Sequence, residues 1–246
     1  MAKTLILIPS RMAATRLPGK PLLKINNLSM VSHVFKRAEE ANIGEVVVAT
    51  EDQEILEDVL RNGGKAVLTS NDHKTGTDRI FEAFQKLNIK NIDYILNLQG
   101  DEPNIDKSDI INLNNLMINS KSEIGTLAAI IQDDKMFNNK NVVKVVTENK
   151  LEKDNFPTAL NFSRENLMIS SKNIYHHIGI YSYKVNTLEK FVKLSQTDRE
   201  RKNKLEQLRA IDNNLKINVA LAKSSPIGVD TEEDYLAIKK IMEYKL

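Results

Sequence analysis

Three fixed cations, Arg11, Arg16 and Lys20, fall within ten residues directly after a short apolar run that ends at Pro9. Ala13 and Ala14 between them are small enough to let backbone amides approach a ligand, and Pro18 and Pro21 keep the segment from becoming helix. Guanidinium forks combined with backbone N–H groups suit a triphosphate; an exposed basic turn is the competing use. A second apolar run ends in Gln99-Gly100-Asp101-Glu102-Pro103, where Asp101 can reach a hard cation such as Mg²⁺ or simply form an acidic turn. Asp230, in Gly228-Val229-Asp230-Thr231-Glu232-Glu233-Asp234, is a second such carboxylate, with a helix N-cap at Asp230 or Thr231 as the alternative. Lys74-Thr75-Gly76-Thr77-Asp78-Arg79 opens a helix with Thr77 as the expected cap, and its N-terminus suits a phosphate or ribose as well as an ordinary capped start. Further on, Arg164 in Phe162-Ser163-Arg164, and His177 and Tyr181 in His176-His177-Ile178-Gly179-Ile180-Tyr181, could hold a sugar's carboxylate and hydroxyls, or serve structure alone.

Such residues need a scaffold, and the composition allows an ordinary one. Of 246 residues, 41% are apolar and 28% charged, proportions that build a globular core. A net charge of +2 gives no reason to expect nucleic acid as a partner. With no cysteine there is neither disulfide nor thiolate metal site, and the four histidines lack zinc spacing apart from the adjacent pair. The apolar run Leu5 to Ile8 is too short for a signal-peptide core, and no stretch reaches membrane-span length. A cytoplasmic enzyme with no membrane partner is the expectation.

The first half alternates strands and helices. Strands are expected at Thr4–Pro9, Glu45–Ala49, Lys65–Leu68 and Asp93–Leu98, and helices at Met30–Ala41, Asp52–Arg61 and Thr77–Leu87. That order argues for an α/β protein with an open, doubly wound, mostly parallel sheet, in which ligands bind beyond the carboxyl ends of the strands. In the second half, Gly125–Ile131, Val142–Thr147, Ala159–Ser163, Ile174–Tyr183 and Lys216–Leu221 look extended. Glu189–Leu194, Arg199–Ala210 and Glu232–Tyr244 look helical. The expectation is one domain over 1–246, with a strand-rich insertion at about 125–195.

IPSRMAATRLPGKPL, VVVATEDQEI, KTGTDRI, LNLQGDEP, FSR, HHIGIYSY, LEQLR and GVDTEEDY stand in the order found in 3-deoxy-manno-octulosonate cytidylyltransferases, or CMP-Kdo synthetases, and the chain resembles that family from Leu5 to about Tyr235. The resemblance implies a Rossmann-like nucleotidyltransferase fold and CTP-dependent activation of a ulosonic acid, for lipopolysaccharide synthesis. It implies that Arg11, Arg16 and Lys20 hold the CTP phosphates and that Thr15 also belongs to the nucleotide site. Thr77, Arg79 and Gln99 would line the nucleotide pocket, with Gln99 near the base or sugar. Asp101 and Asp230 would carry Mg²⁺, while Arg164, His177, Tyr181, Glu206 and Gln207 contact the sugar. The family works as a homodimer. Four positions depart from its pattern: Ser10 replaces a usual alanine, Glu165-Asn166-Leu167 replaces an Ile-Pro continuation, the segment from Arg164 to His177 is short, and Asn203 replaces a glutamate. A neutral Asn203 favours Kdo itself. Glu200 and Glu206 keep an 8-amino sugar open as the alternative. A sugar-1-phosphate nucleotidylyltransferase and a non-catalytic nucleotide sensor are the rivals, the latter having no need of two carboxylates.

Overall fold

The computed structural model describes residues 2–13, 16–165 and 173–243. In chain order the elements are β1 (Thr4–Ser10), a 3₁₀ turn (Lys20–Leu22), β2 (Lys24–Ile25), β3 (Leu28–Ser29), α1 (Met30–Glu40), β4 (Gly44–Thr50), α2 (Gln53–Arg61), β5 (Ala66–Leu68), α3 (Gly76–Leu87) and β6 (Tyr94–Asn97). They continue as α4 (Lys107–Ser120), β7 (Ile124–Ala129), α5 (Asp134–Asn138), β8 (Lys144–Thr147), β9 (Ala159–Ser163), β10 (Ile174–Lys184), α6 (Val185–Phe191), α7 (Asp198–Asn203), α8 (Gln207–Asp212), β11 (Ile217–Leu221) and α9 (Glu232–Glu243). The chain clusters into two compact units, one of residues 1–110 and 226–246 and the other of residues 111–225.

In the first unit, β1 pairs in parallel with β4 on one side and β6 on the other, and β4 pairs in parallel with β5. Leu5 to Ile8 are therefore covered on every side and 0% exposed, which is why the run is continuous and not alternating. The order β6-β1-β4-β5 reverses between β1 and β6, and the carboxyl ends of those two strands form a topological switch point. Asn26 and Asn27, both at positive φ, turn the β2–β3 hairpin. Ser29 caps α1, accepting from Ser32 N at 3.3 Å. α9 belongs to this unit, because Val229 and Ile238 bury themselves fully against Ile25 and Met30. Burial of each such side chain contributes about 1.5–3 kcal/mol, and Tyr235 Oη adds a bond to Lys24 O at 2.6 Å.

The second unit is mostly antiparallel: β7 pairs with β10, β10 with β8 and β8 with β9, while β11 runs parallel to β7. Two helical expectations are corrected here. The expected helix Arg199–Ala210 is two helices, because Lys204 takes a left-handed conformation (φ 53°) after the Thr197 capping box starts α7, and α8 begins only at Gln207. The helix expected at Glu189–Leu194 starts earlier, at Val185, since β10 runs straight into α6. α4 was not expected. Its asparagines hide a face formed by Ile110, Leu113 and Met117, all fully buried.

Candidate active site

A cleft of about 310 Å³ opens at the switch point of the first unit, walled by the loop after β1, the start of α3, the segment after β6 and Asp230. The loop is shaped by its own residues. Gly19 turns it at φ 70°, and Asp52 Oδ2 accepts from Met12 N at 2.7 Å, tying it to the end of β4. Arg11, Arg16 and Lys20 all line the cleft, as expected of phosphate ligands; Thr15 lies outside the described residues.

Asp101 and Asp230 meet. Lys20 Nζ lies 2.9 Å from Asp101 Oδ2 and 3.6 Å from Asp230 Oδ1, and it donates to Val229 O at 2.7 Å. Arg16 Nη2 lies 2.8 Å from Asp230 Oδ2. Val229 N donates to Asp101 O at 2.9 Å, so backbone as well as ammonium holds the two acidic segments together. The cap alternative for Asp230 is settled by Thr231. Its Oγ1 accepts from Asp234 N at 3.2 Å, and Asp234 Oδ2 in turn accepts from Thr231 N at 2.9 Å. Asp230 is thereby left to the cleft, with half its side chain exposed.

At the other end of the cleft, Thr75 and not Thr77 caps α3: Thr75 Oγ1 accepts from Asp78 N at 3.1 Å. Threonine two residues earlier reaches the third helical amide; Thr77 already sits inside the helix and is buried. Thr75 and Gly76 line the cleft, with Gln99 and Arg79. Arg79 is 3% exposed; its guanidinium donates to Thr69 Oγ1 at 2.6 Å and to Ser70 O at 3.3 Å and pairs with the Glu51 carboxylate. Sequence reasoning missed Glu51 and Thr69; their signal was position, directly after β4 and β5. It also missed His73, which lines the cleft while its Nε2 contacts Glu82 Oε2. Burial would raise the Glu82 carboxyl, but Lys86, His73 and Ser70 N outweigh it and hold it down at about 2.

The expected sugar-side residues all lie in the second unit, Gln99 apart. His177 is buried on β10, its Nε2 3.0 Å from Thr126 Oγ1, and burial with nearby His176 and Arg164 pushes it down to about 3. It is therefore a neutral imidazole. Its ring packs on Phe162 and Tyr181, with centroids 5.0 and 5.4 Å away. Burial, Tyr183 and Glu206 raise the Tyr181 phenol well above its usual value. Arg164 follows β9, and its carbonyl accepts from the fully buried Lys144 Nζ at 3.1 Å, a lysine that sequence reasoning passed over. Glu206 precedes α8 and Gln207 opens it, largely buried. Glu200 is buried and doubly bonded to Arg209, at 2.9 and 2.5 Å.

Among the described residues no cluster of three or more acidic or histidine side chains could hold a metal, and no helix is long and apolar enough to cross a membrane. Two carboxylates are nonetheless enough for Mg²⁺, which keeps several waters and takes its remaining oxygens from substrate phosphates.

Comparison with known proteins bears on the family and the fold. A 3-deoxy-manno-octulosonate cytidylyltransferase of Afipia carboxidovorans is 45% identical over 240 residues, 97% of this chain and 96% of the relative. One of Rhodopseudomonas palustris is 44% identical, over 98% of each chain. The solved structure of a CMP:2-keto-3-deoxy-manno-octonic acid synthetase complexed with CTP superposes with a TM-score of 0.90 at 35% identity, covering 100% of both chains. Residues 5–217 match the cytidylyltransferase family, and with relatives of this similarity over nearly the whole chain, the protein belongs to that family.

Proposed function

We propose that the protein joins CTP to 3-deoxy-manno-octulosonate, yielding CMP-Kdo and pyrophosphate for lipopolysaccharide synthesis. The observation that carries this reading is the constellation of Arg16, Lys20, Asp101 and Asp230 in one cleft at the switch point. The relatives that carry that enzyme's name over nearly their whole length support it.

Arg11, Arg16 and Lys20 bind and orient the triphosphate. Arg16 and Lys20 sit on carboxylates without it and exchange those contacts for phosphate oxygens as CTP enters. The C2 hydroxyl of the sugar attacks the α-phosphorus; an oxygen–phosphorus bond forms, the hydroxyl proton passes to water, the bond from the α-phosphorus to the bridging oxygen breaks, and pyrophosphate carries away the electron pair. Charge spreads over the phosphoryl oxygens in that transition state, so positioned cations supply most of the catalysis. Asp101 and Asp230 would hold Mg²⁺. When bound, it polarises the α-phosphate and acidifies a neighbouring hydroxyl.

Arg164, His177, Tyr181, Glu206 and Gln207 are the proposed sugar contacts, with Gln99 shared between sugar and base. Kdo itself is favoured over its 8-amino analogue, because Glu200 is committed to Arg209 and Asn203 is neutral. The homodimer is proposed from the family resemblance, and the cytoplasmic location from the sequence-based expectation. The test is pyrophosphate release with Mg²⁺, pairing CTP, UTP, dTTP and ATP with Kdo, 8-amino-Kdo, a sialic acid and a sugar 1-phosphate. CTP with Kdo should lead. Preference for a sialic acid or for a sugar 1-phosphate would reject the assignment.

A further inference from the structure

Ser10 ends β1 and lines the cleft, and it is 7% exposed. Its Oγ is shut off from water and has no hydrogen-bond partner among the described residues. A buried hydroxyl in that state is destabilising, and nothing in the fold uses it. Two glycines of the cleft lining stand close to it or to its neighbour Pro9. A Cβ on Gly76 would lie 3.2 Å from Pro9 Cγ, and one on Gly100 would lie 3.1 Å from the Pro9 carbonyl oxygen and 3.6 Å from Ser10 Oγ. Pro9, Gly76 and Gly100 are uncharged lining beside Ser10, whereas Arg16, Lys20, Asp101 and Asp230 are joined to one another by ion pairs. A planar base or a ribose fits such uncharged lining; a triphosphate belongs with the ions. Serine turns easily about χ1, and its hydroxyl both donates and accepts.

We propose that Ser10 is a nucleoside-binding residue whose Oγ turns from its orphaned position to hydrogen-bond the base or ribose of bound CTP. The inference rests on the proposed use of CTP. Because the hydroxyl serves either role, it adds affinity without telling cytosine from uracil.

The test is calorimetric titration of wild type and Ser10→Ala with CTP and with inorganic tripolyphosphate, each with Mg²⁺, alongside melting of the ligand-free proteins. Ser10→Ala should raise the Kd for CTP about three- to tenfold, the worth of one hydrogen bond. It should leave tripolyphosphate binding unchanged and the ligand-free Tm unchanged or higher. A CTP Kd within twofold of wild type, an equal loss with tripolyphosphate, or a lowered ligand-free Tm would each overturn the proposal. Failure of wild type to bind CTP, with tripolyphosphate still bound, would instead remove the CTP reading and this inference with it.

Discussion

Glu51→Ala should be among the most damaging single changes near the cleft, although Glu51 need not touch substrate. It removes the carboxylate from Arg79, whose side chain is 3% exposed while that of Glu51 is 18% exposed. Stripping one partner from a buried ion pair costs about 3–5 kcal/mol, because the remaining charge stays buried without compensation. Arg79 keeps Thr69 Oγ1 and Ser70 O, and Glu51 is partly wet, so the low end, about 3 kcal/mol, applies. For a chain of this size that is a fall in Tm of about 6–12 °C. The decisive comparison is Glu51→Ala with Arg79→Met, which leaves no orphaned charge. By urea unfolding at neutral pH the double variant should lose only about 1–2 kcal/mol, less than Glu51→Ala alone. A double variant less stable than the single one, or a single variant within about 0.5 kcal/mol of wild type, would refute the uncompensated-charge argument.

Asp101→Asn and Asp230→Asn should each nearly abolish turnover at ordinary Mg²⁺ while melting as wild type does; near-normal activity in either would remove the two-aspartate site. Arg16→Ala and Lys20→Ala should each lower kcat/KM by about 30-fold, roughly 2 kcal/mol for a charge-assisted phosphate contact, and survival of CTP affinity and turnover in the double variant would reduce the loop to a basic turn. Burial, with Lys144 nearby, holds His176 down at about 4, and burial, with His176 and Arg164 nearby, holds His177 at about 3. Both are neutral when folded and take up a proton when unfolded below about 6.5, so the unfolded state binds more protons there and stability falls as pH drops from 6.5 towards 4. Each contributes at most about 1.4 kcal/mol per pH unit. Urea unfolding at pH 7, 6 and 5 should show that slope, flattened in His177→Gln; an unchanged slope in the variant would contradict it.

Much of this was legible along the chain because it depends on neighbours in sequence. Leu5 to Ile8 read as a buried parallel strand because a strand covered on both faces has no polar alternation. The placement of Arg11, Arg16 and Lys20 in the cleft was legible because a loop after such a strand opens at the sheet's ligand-binding edge. The motif order carried the family likewise. The Arg199–Ala210 stretch misled because helical spacing continues through Lys204, whose left-handed turn leaves no mark in a lysine.

What the sequence could not decide is what long-range contact decides. Asp101 and Asp230 became one site only because Val229 and Ile238 anchor α9 on Ile25 and Met30, and because Lys20 bridges the two carboxylates. Thr231, not Asp230, caps that helix through its reciprocal bonds with Asp234. Arg79 lines the cleft, and its carboxylate partner, Glu51, is set by β4 standing beside β5, where Thr69 also accepts from the guanidinium. The orphaned state of Ser10 Oγ is likewise invisible in a sequence. Residue type states which bonds a side chain is able to make, and the folded packing alone determines which of them are made.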